Sequence, residues 1–139
     1  MIKVGIGVDH RGYALKNLLM QEKSIEWLDF GTDSSDRTDY PLFVPPVVDA
    51  IDAGEIDYGV LICGTGIGMS IVANRYKKVY AALAWNKEVA VLSKEDDNSN
   101  ILILPADFIT EDQAREMLSA WLQAKFKGGR YEERLALFD

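Results

Sequence analysis

The chain has 139 residues, enough for one domain, and its 48% hydrophobic and 27% charged residues let it bury a core and stay soluble. Lys and Arg total 15 against 22 Asp and Glu, and the net charge of −7 argues against a nucleic-acid partner, which needs a basic face. No run approaches the roughly 20 apolar residues of a membrane span, and a lone cysteine excludes an internal disulfide and fits a reducing, cytoplasmic compartment.

The N-terminus opens on strand-like Ile2–Val8, with no basic n-region or cleavage site. A helical pattern follows over Gly12–Glu22, then a strand over Ile25–Phe30 and a helix over Leu42–Ala53. Tyr58–Cys63 reads as a buried strand, Ile67–Tyr76 as a helix, Val79–Ala84 as a strand and Asn86–Lys94 as a helix. The chain closes with a strand over Asn100–Leu104, a helix over Thr110–Lys125 with Thr110 and Gln113 as a capping box, and a short helix over Tyr131–Phe138.

Strands that are apolar throughout and separated by helices imply a parallel sheet covered on both faces. The expected fold is therefore a three-layer α/β/α sandwich with a five-stranded parallel sheet, Rossmann-like, formed by one domain over residues 1–139. Ligands of such sheets bind outside the carboxyl ends of the strands. That rule selects Asp9-His10, Gly31–Tyr40, Cys63–Gly68 and Asn86.

Cys63-Gly64-Thr65-Gly66-Ile67-Gly68 is the strongest local signal. Alternating glycines let backbone approach a ligand and adopt positive φ, and successive amides there form an anion-binding nest. The spacing matches neither a P-loop nor the dinucleotide fingerprint, and a tight strand-to-helix turn would also account for the glycines. Cys63 sits beside those amides, surroundings expected to lower a thiol pKa from about 8.5 and let a thiolate act as general base. A buried structural cysteine is the alternative. His10 is the only histidine, and Asp9 can orient it or bind a hydroxyl. Arg130 and Arg134, four apart, share a helix face and suit a phosphate, unless they simply pair with Glu132 and Glu133.

Taken together these residues resemble the ribose-5-phosphate isomerase type B family, which also holds the galactose-6-phosphate and allose-6-phosphate isomerases. The resemblance runs through Gly7-Val8-Asp9-His10, Asp29-Phe30-Gly31-Thr32, Arg37-Thr38-Asp39-Tyr40-Pro41, Ile62 to Gly68, Ala73-Asn74, and Gly128-Gly129-Arg130 with Arg134. It implies an aldose–ketose isomerase acting on a sugar phosphate, ribose 5-phosphate first. Cys63 would shuttle the proton, while Thr65 and the amides of Gly64, Gly66, Ile67 and Gly68 hold the enediolate. Asp9, His10 and Tyr40 would contact the sugar, and Arg130 and Arg134 the phosphate. It further implies no metal or organic cofactor, and a homodimer or tetramer whose sites are shared between subunits, the two arginines coming from the neighbour.

The chain departs from that pattern at several positions. Asp96 stands where the isomerases carry a ring-opening histidine, and Asp97 where they carry a sugar-binding Asn. Pro105-Ala106-Asp107 replaces a turn that supplies a cation near the phosphate, and Tyr131 replaces a histidine. These changes leave room for other readings: a six-carbon sugar phosphate such as allose or galactose 6-phosphate, acted on by one subunit of a mixed oligomer, or a sugar-phosphate sensor with an impaired site. A redox or phosphocysteine carrier built on Cys63 would not need Arg130 and Arg134.

Overall fold

In a computed structural model describing residues 1–139, β1 (Ile2–Val8), β2 (Ile25–Asp29), β3 (Tyr58–Cys63), β4 (Ala81–Leu83) and β5 (Ile101–Pro105) form one sheet. Every pairing is parallel, in the order β2-β1-β3-β5-β4. The helices are α1 (Tyr13–Leu19), α2 (Pro45–Asp52), α3 (Ile67–Ala73), α4 (Lys87–Asp97), α5 (Glu111–Gln123) and α6 (Arg130–Ala136). This is the layered parallel α/β fold that the alternation of strands and helices predicts, and no helix is long and apolar enough to cross a membrane.

Strand residues alternate between two separate cores. Val4, Ile6, Val60, Ile62, Leu102 and Leu104 pack with Leu15, Leu19, Met117 and Trp121 of α1 and α5. Leu61, Cys63, Ile101 and Ile103 face Val47, Val48, Met69 and Ala73 of α2 and α3. Each such aliphatic side chain contributes about 1.5–3 kcal/mol on burial, so a sheet covered on both faces has its register strongly specified. On β1 the positions facing α2 are Gly5 and Gly7, and a Cβ on Gly7 would collide with the Phe43 carbonyl. The missing side chains let the segment after β2 close onto the sheet.

Several element ends differ from the sequence expectation, each for a local reason. The helix expected over Leu42–Ala53 is split into a 3-10 turn, Tyr40–Phe43, and α2, because Pro45 and Pro46 lack N–H groups and can only begin an α-helix. Helix α1 stops at Leu19, where Gln21 and Glu22 switch to tighter bonds onto Leu18 and Leu19. Helix α4 runs past Lys94 to Asp97 and ends on Asn98 in the left-handed region at φ 53, so Asp96 and Asp97 are helical. The edge strand β4 is only three residues long, and the Asn74 carboxamide bonds both the N–H and the C=O of Ala81, each at 2.9 Å. The expected capping box is present: the Thr110 hydroxyl accepts from Gln113 N, and the Gln113 side chain accepts from Thr110 N.

Lys94 stands apart among these buried side chains. It is 2% exposed, its Nζ has no hydrogen-bond partner, and it sits 4.0 and 4.3 Å from the ring centroids of Tyr58 and Trp121. Burial lowers its pKa from 10.5 to about 8. A lysine with a depressed folded pKa weakens the fold fully below that value, and the penalty is relieved as pH rises from about 8 to 10.5. Lys94→Met should therefore stabilise the chain at pH 7, by about 2 kcal/mol once cation–π attraction to the two rings is subtracted. The variant should also lose the rise in stability that the parent shows between pH 8 and 10.5. Denaturant titrations across that range measure both effects, and a variant less stable than the parent at pH 7 would show that the rings hold the ammonium favourably.

Candidate active site

Register brings the exits of β1, β3 and β5 side by side, with Val8 opposite Ile62 and Cys63 opposite Pro105. Bonds from Asp9 N to Ile62 O (3.3 Å), Ala106 N to Cys63 O (3.0 Å) and Asp107 N to Gly64 O (3.0 Å) fasten the three exits together. Cys63 ends β3, and strand alternation turns it to the α2–α3 side, where it is 5% exposed. Gly66 adopts φ 75, and a Cβ there would also strike Leu83, so the turn into α3 needs glycine on both counts.

The amides of Gly64, Thr65, Gly66 and Gly68 have no acceptor within the chain. Ile67 differs from the sequence expectation: its N–H donates to Thr65 Oγ1 at 3.1 Å and is already occupied. That bond uses Thr65 Oγ1 as an acceptor and leaves the hydroxyl proton free to be donated. A buried thiol next to open N–H donors can remove a proton while fixed dipoles receive the negative charge that develops.

Asp9 and His10 flank this loop, but not as a pair. Asp9, 5% exposed, accepts from Arg11 N (3.0 Å) and Gly12 N (3.3 Å) through Oδ1, leaving Oδ2 without a partner in the chain. The orienter of His10 is Thr38: His10 N donates to Thr38 Oγ1 (3.1 Å), and Thr38 N donates to His10 Nδ1 (3.2 Å). With Nδ1 an acceptor, the neutral imidazole carries its proton on Nε2. The loop bearing Thr38 is pinned by Lys16, 2% exposed, whose Nζ donates to Asp29 Oδ2 (2.9 Å) and the Thr32 carbonyl (2.6 Å). Tyr40 joins the site because Gly68 has no side chain: a Cβ there would lie 2.5 Å from Tyr40 Cζ and 2.9 Å from its hydroxyl.

The remaining expected residues gather elsewhere. Helix α4 starts at the carboxyl edge after β4 and runs back for 11 residues, so Asp96 and Asp97 lie at the opposite edge, roughly 15 Å away by helix rise. Asp96 forms an ion pair of 3.3 Å with Lys127, whose pKa it holds above the ordinary value. Around Tyr131 the cationic groups of Lys127, Arg130 and Arg134 lie 5.3, 5.1 and 5.2 Å from the ring centroid. Arg130 also donates to the Tyr131 hydroxyl at 3.2 Å, and neither arginine forms an ion pair with Glu132 or Glu133. Three cations about one ring concentrate positive charge locally in a chain of net charge −7. A cavity of about 670 Å³ lies near this second cluster and not near Cys63; Asp97, Arg75, Lys77, Tyr80 and Phe138 are among the residues lining it.

A family model described as Ribose/Galactose Isomerase matches residues 4–138. The chain belongs to the ribose/galactose isomerase family. It is 38% identical over 138 residues to ribose-5-phosphate isomerase B of Escherichia coli, covering 97% of this chain and 93% of that one. A crystal structure of ribose 5-phosphate isomerase from Thermotoga maritima superposes with a TM-score of 0.96 at 40% identity, covering 99% of this chain and 97% of that one. Ribose-5-phosphate isomerase B of Mycoplasma genitalium, solved with bound ribulose-5-phosphate, superposes at 0.91 with 34% identity and covers 98% and 93% of the two chains.

Within this ribose/galactose isomerase the geometry adds three residues that sequence reasoning missed. Thr38 was visible only as part of a motif, Lys127 only as a cation three residues before Arg130, and Arg11 gave no sequence signal. Arg11 is ion-paired to Asp107 across Gly64, a contact between segments 96 residues apart that no local pattern encodes.

Proposed function

We propose that this chain interconverts ribose 5-phosphate and ribulose 5-phosphate through an enediolate, with Cys63 as the base. The observation that carries this reading is the end of β3, where a buried thiol meets four open amides and the Thr65 hydroxyl. The Cys63 thiolate takes the proton from carbon two of the open-chain aldose. The electron pair moves to the carbonyl, and the developing O1 anion is received by Thr65 and the open amides. The thiol returns its proton to carbon one, and a hydroxyl proton passes from O2 to O1. Asp9 Oδ2 and His10 Nε2–H bind sugar hydroxyls, and Arg130 and Arg134 bind the phosphate.

The phosphate seat and the thiol lie at opposite edges of one sheet, which supports a site completed by a second copy of this chain. The apolar side chains around the thiol favour the same arrangement. Ile67 and Ile71, four apart on α3, are 55% and 56% exposed, and Leu42 on the neighbouring 3-10 turn is 67% exposed. A lone cysteine that must stay reduced fits a cytoplasmic enzyme. The direct test is a panel of five- and six-carbon aldose and ketose phosphates, with turnover and binding followed together. Turnover of ribose 5-phosphate above all others is expected. Binding without turnover on every sugar would make the protein a sensor.

Ring opening provides a second test. Asp96 is paired with Lys127 at 3.3 Å, so its carboxyl oxygen faces a cation in place of the N–H donor that a histidine there would present to a ring oxygen. Asp96→His should raise the single-turnover rate on the cyclic aldose about tenfold, short of the 10²–10⁴-fold of a fully tuned acid. It should change little for ribulose 5-phosphate, which forms no furanose ring. A lower rate on ribose 5-phosphate would instead mark Asp96 as a substrate-binding group and favour a six-carbon sugar phosphate.

A further inference from the structure

We infer that Arg11 binds the substrate phosphate from the Cys63 side of the site, and that Asp107 is its positioning residue; this rests on the sugar-phosphate isomerase reading above. Three chain segments meet at Gly64. The backbone of Arg11 is held by Asp9, through the 3.0 Å bond from Arg11 N to Asp9 Oδ1. The backbone of Asp107 is held by Gly64 itself, through the 3.0 Å bond from Asp107 N to Gly64 O. Between them the guanidinium crosses Gly64 and pairs with the Asp107 carboxylate. A Cβ on Gly64 would lie 2.7 Å from Arg11 Nε, 2.8 Å from Arg11 Cζ and 2.7 Å from Asp107 Oδ2. Gly64 therefore keeps clear the space that the pair occupies, immediately after the proposed base.

The arrangement suits an oxyanion of the substrate better than a structural brace. The guanidinium presents five N–H donors in a fixed fork, and one Asp107 oxygen engages one edge of it. The Arg11 side chain is 55% exposed, so the other donors stay open at the mouth of the site. The nearby cation on α1, Lys16, is 2% exposed and directs its charge to Asp29 and the Thr32 carbonyl beneath the loop, away from the mouth of the site. The enediolate already has the amides and Thr65, so Arg11 is assigned to the substrate's other charge, the phosphate, as a cation on the Cys63 side that adds to Arg130 and Arg134 of the second copy. Asp107 removes the turn cation expected after β5, and Arg11 supplies one across the same glycine.

Kinetics and phosphate binding test this with four variants. Arg11→Ala should raise KM for ribose 5-phosphate about tenfold or more, with kcat within about threefold of wild type. Arg11→Lys should recover part of the loss. Asp107→Ala keeps the charge but frees the fork, and should raise KM by less than Arg11→Ala. Arg11→Ala with Asp107→Arg returns a cation from the other side of Gly64 and should bring KM back toward wild type. Separately, the thermal shift given by inorganic phosphate should shrink in Arg11→Ala. That shift does not depend on turnover: if wild type fails to isomerise ribose 5-phosphate yet the shift shrinks, the activity reading fails and the Arg11 assignment stands. If Arg11→Ala leaves KM and the phosphate shift unchanged while lowering the melting temperature as Asp107→Ala does, the pair is only a clamp on the β5 exit and the inference is wrong.

Discussion

Cys63→Ser should lower kcat by about 10³-fold, within the range that a positioned general base contributes, while ribulose 5-phosphate still binds within a few-fold of wild type. The substitution exchanges one small side chain for another at a 5% exposed position, so the loop and its amides keep their geometry. What changes is acidity, because a serine hydroxyl cannot supply the anion that a thiol supplies at neutral pH. The new hydroxyl lies among apolar neighbours from α2 and α3, so about 1–3 kcal/mol of stability is lost if it finds no partner. A melting curve separates that loss from the catalytic one. Retention of most of the kcat would make Cys63 a packing residue and end the proposed mechanism.

The second large effect concerns the cations around Tyr131. Arg130→Ala or Arg134→Ala should each weaken a phosphorylated ligand by about 1.5–3 kcal/mol, roughly 10- to 150-fold, and leave a non-phosphorylated analogue unaffected. Because this cluster and Cys63 stand at opposite edges of one chain, the stronger test mixes two impaired proteins, assayed at substrate well below KM. A Cys63→Ser chain offers intact arginines, and an Arg130→Ala chain an intact thiol. With free exchange in a dimer, half of the pairs are mixed and each restores one of its two sites, so activity should return to about a quarter of wild type. No recovery in verified mixed dimers would mean that each site is built within one chain.

Much of this architecture was legible in the residues because it rests on local rules. Apolar strands broken by helical spacing predicted the parallel sheet, and the sheet located the Cys63 loop, the Asp9-His10 exit and the loop reaching Tyr40. The capping box at Thr110 was equally local. The readings that needed correction depended on which hydrogen-bond partner wins locally, or on groups meeting from afar. Asp9 was open to orienting His10, yet its Oδ1 is occupied by amides two and three residues on, and a threonine 28 residues away takes that role. The Ile67 amide counted as a free donor until the Thr65 hydroxyl was seen to accept it. Asp96 and Asp97 looked like a polar tract after a helix, and proved to be its last turn because Asn98 provides the left-handed stop. Asp107 read only as the loss of a cation, and Arg11 carried no signal at all, because only the sheet brings the two together over Gly64.

The two bonds from Asn74 to Ala81 bear on how such a chain can associate. Tyr80 and Ala84 turn their backbone groups inward to β5, so by alternation Ala81 and Leu83 turn theirs toward solvent. An outer strand with open N–H and C=O groups invites a foreign strand to add on, the route to runaway stacking. Here a side-chain amide imitates that foreign strand at Ala81, satisfying one donor and one acceptor with the same spacing a backbone would offer. Only Leu83 is left facing outward, too little for a sixth strand to grip. Asn74 thus blocks growth of the sheet on this side, and a second copy must meet the chain there through side chains rather than by continuing its β-structure.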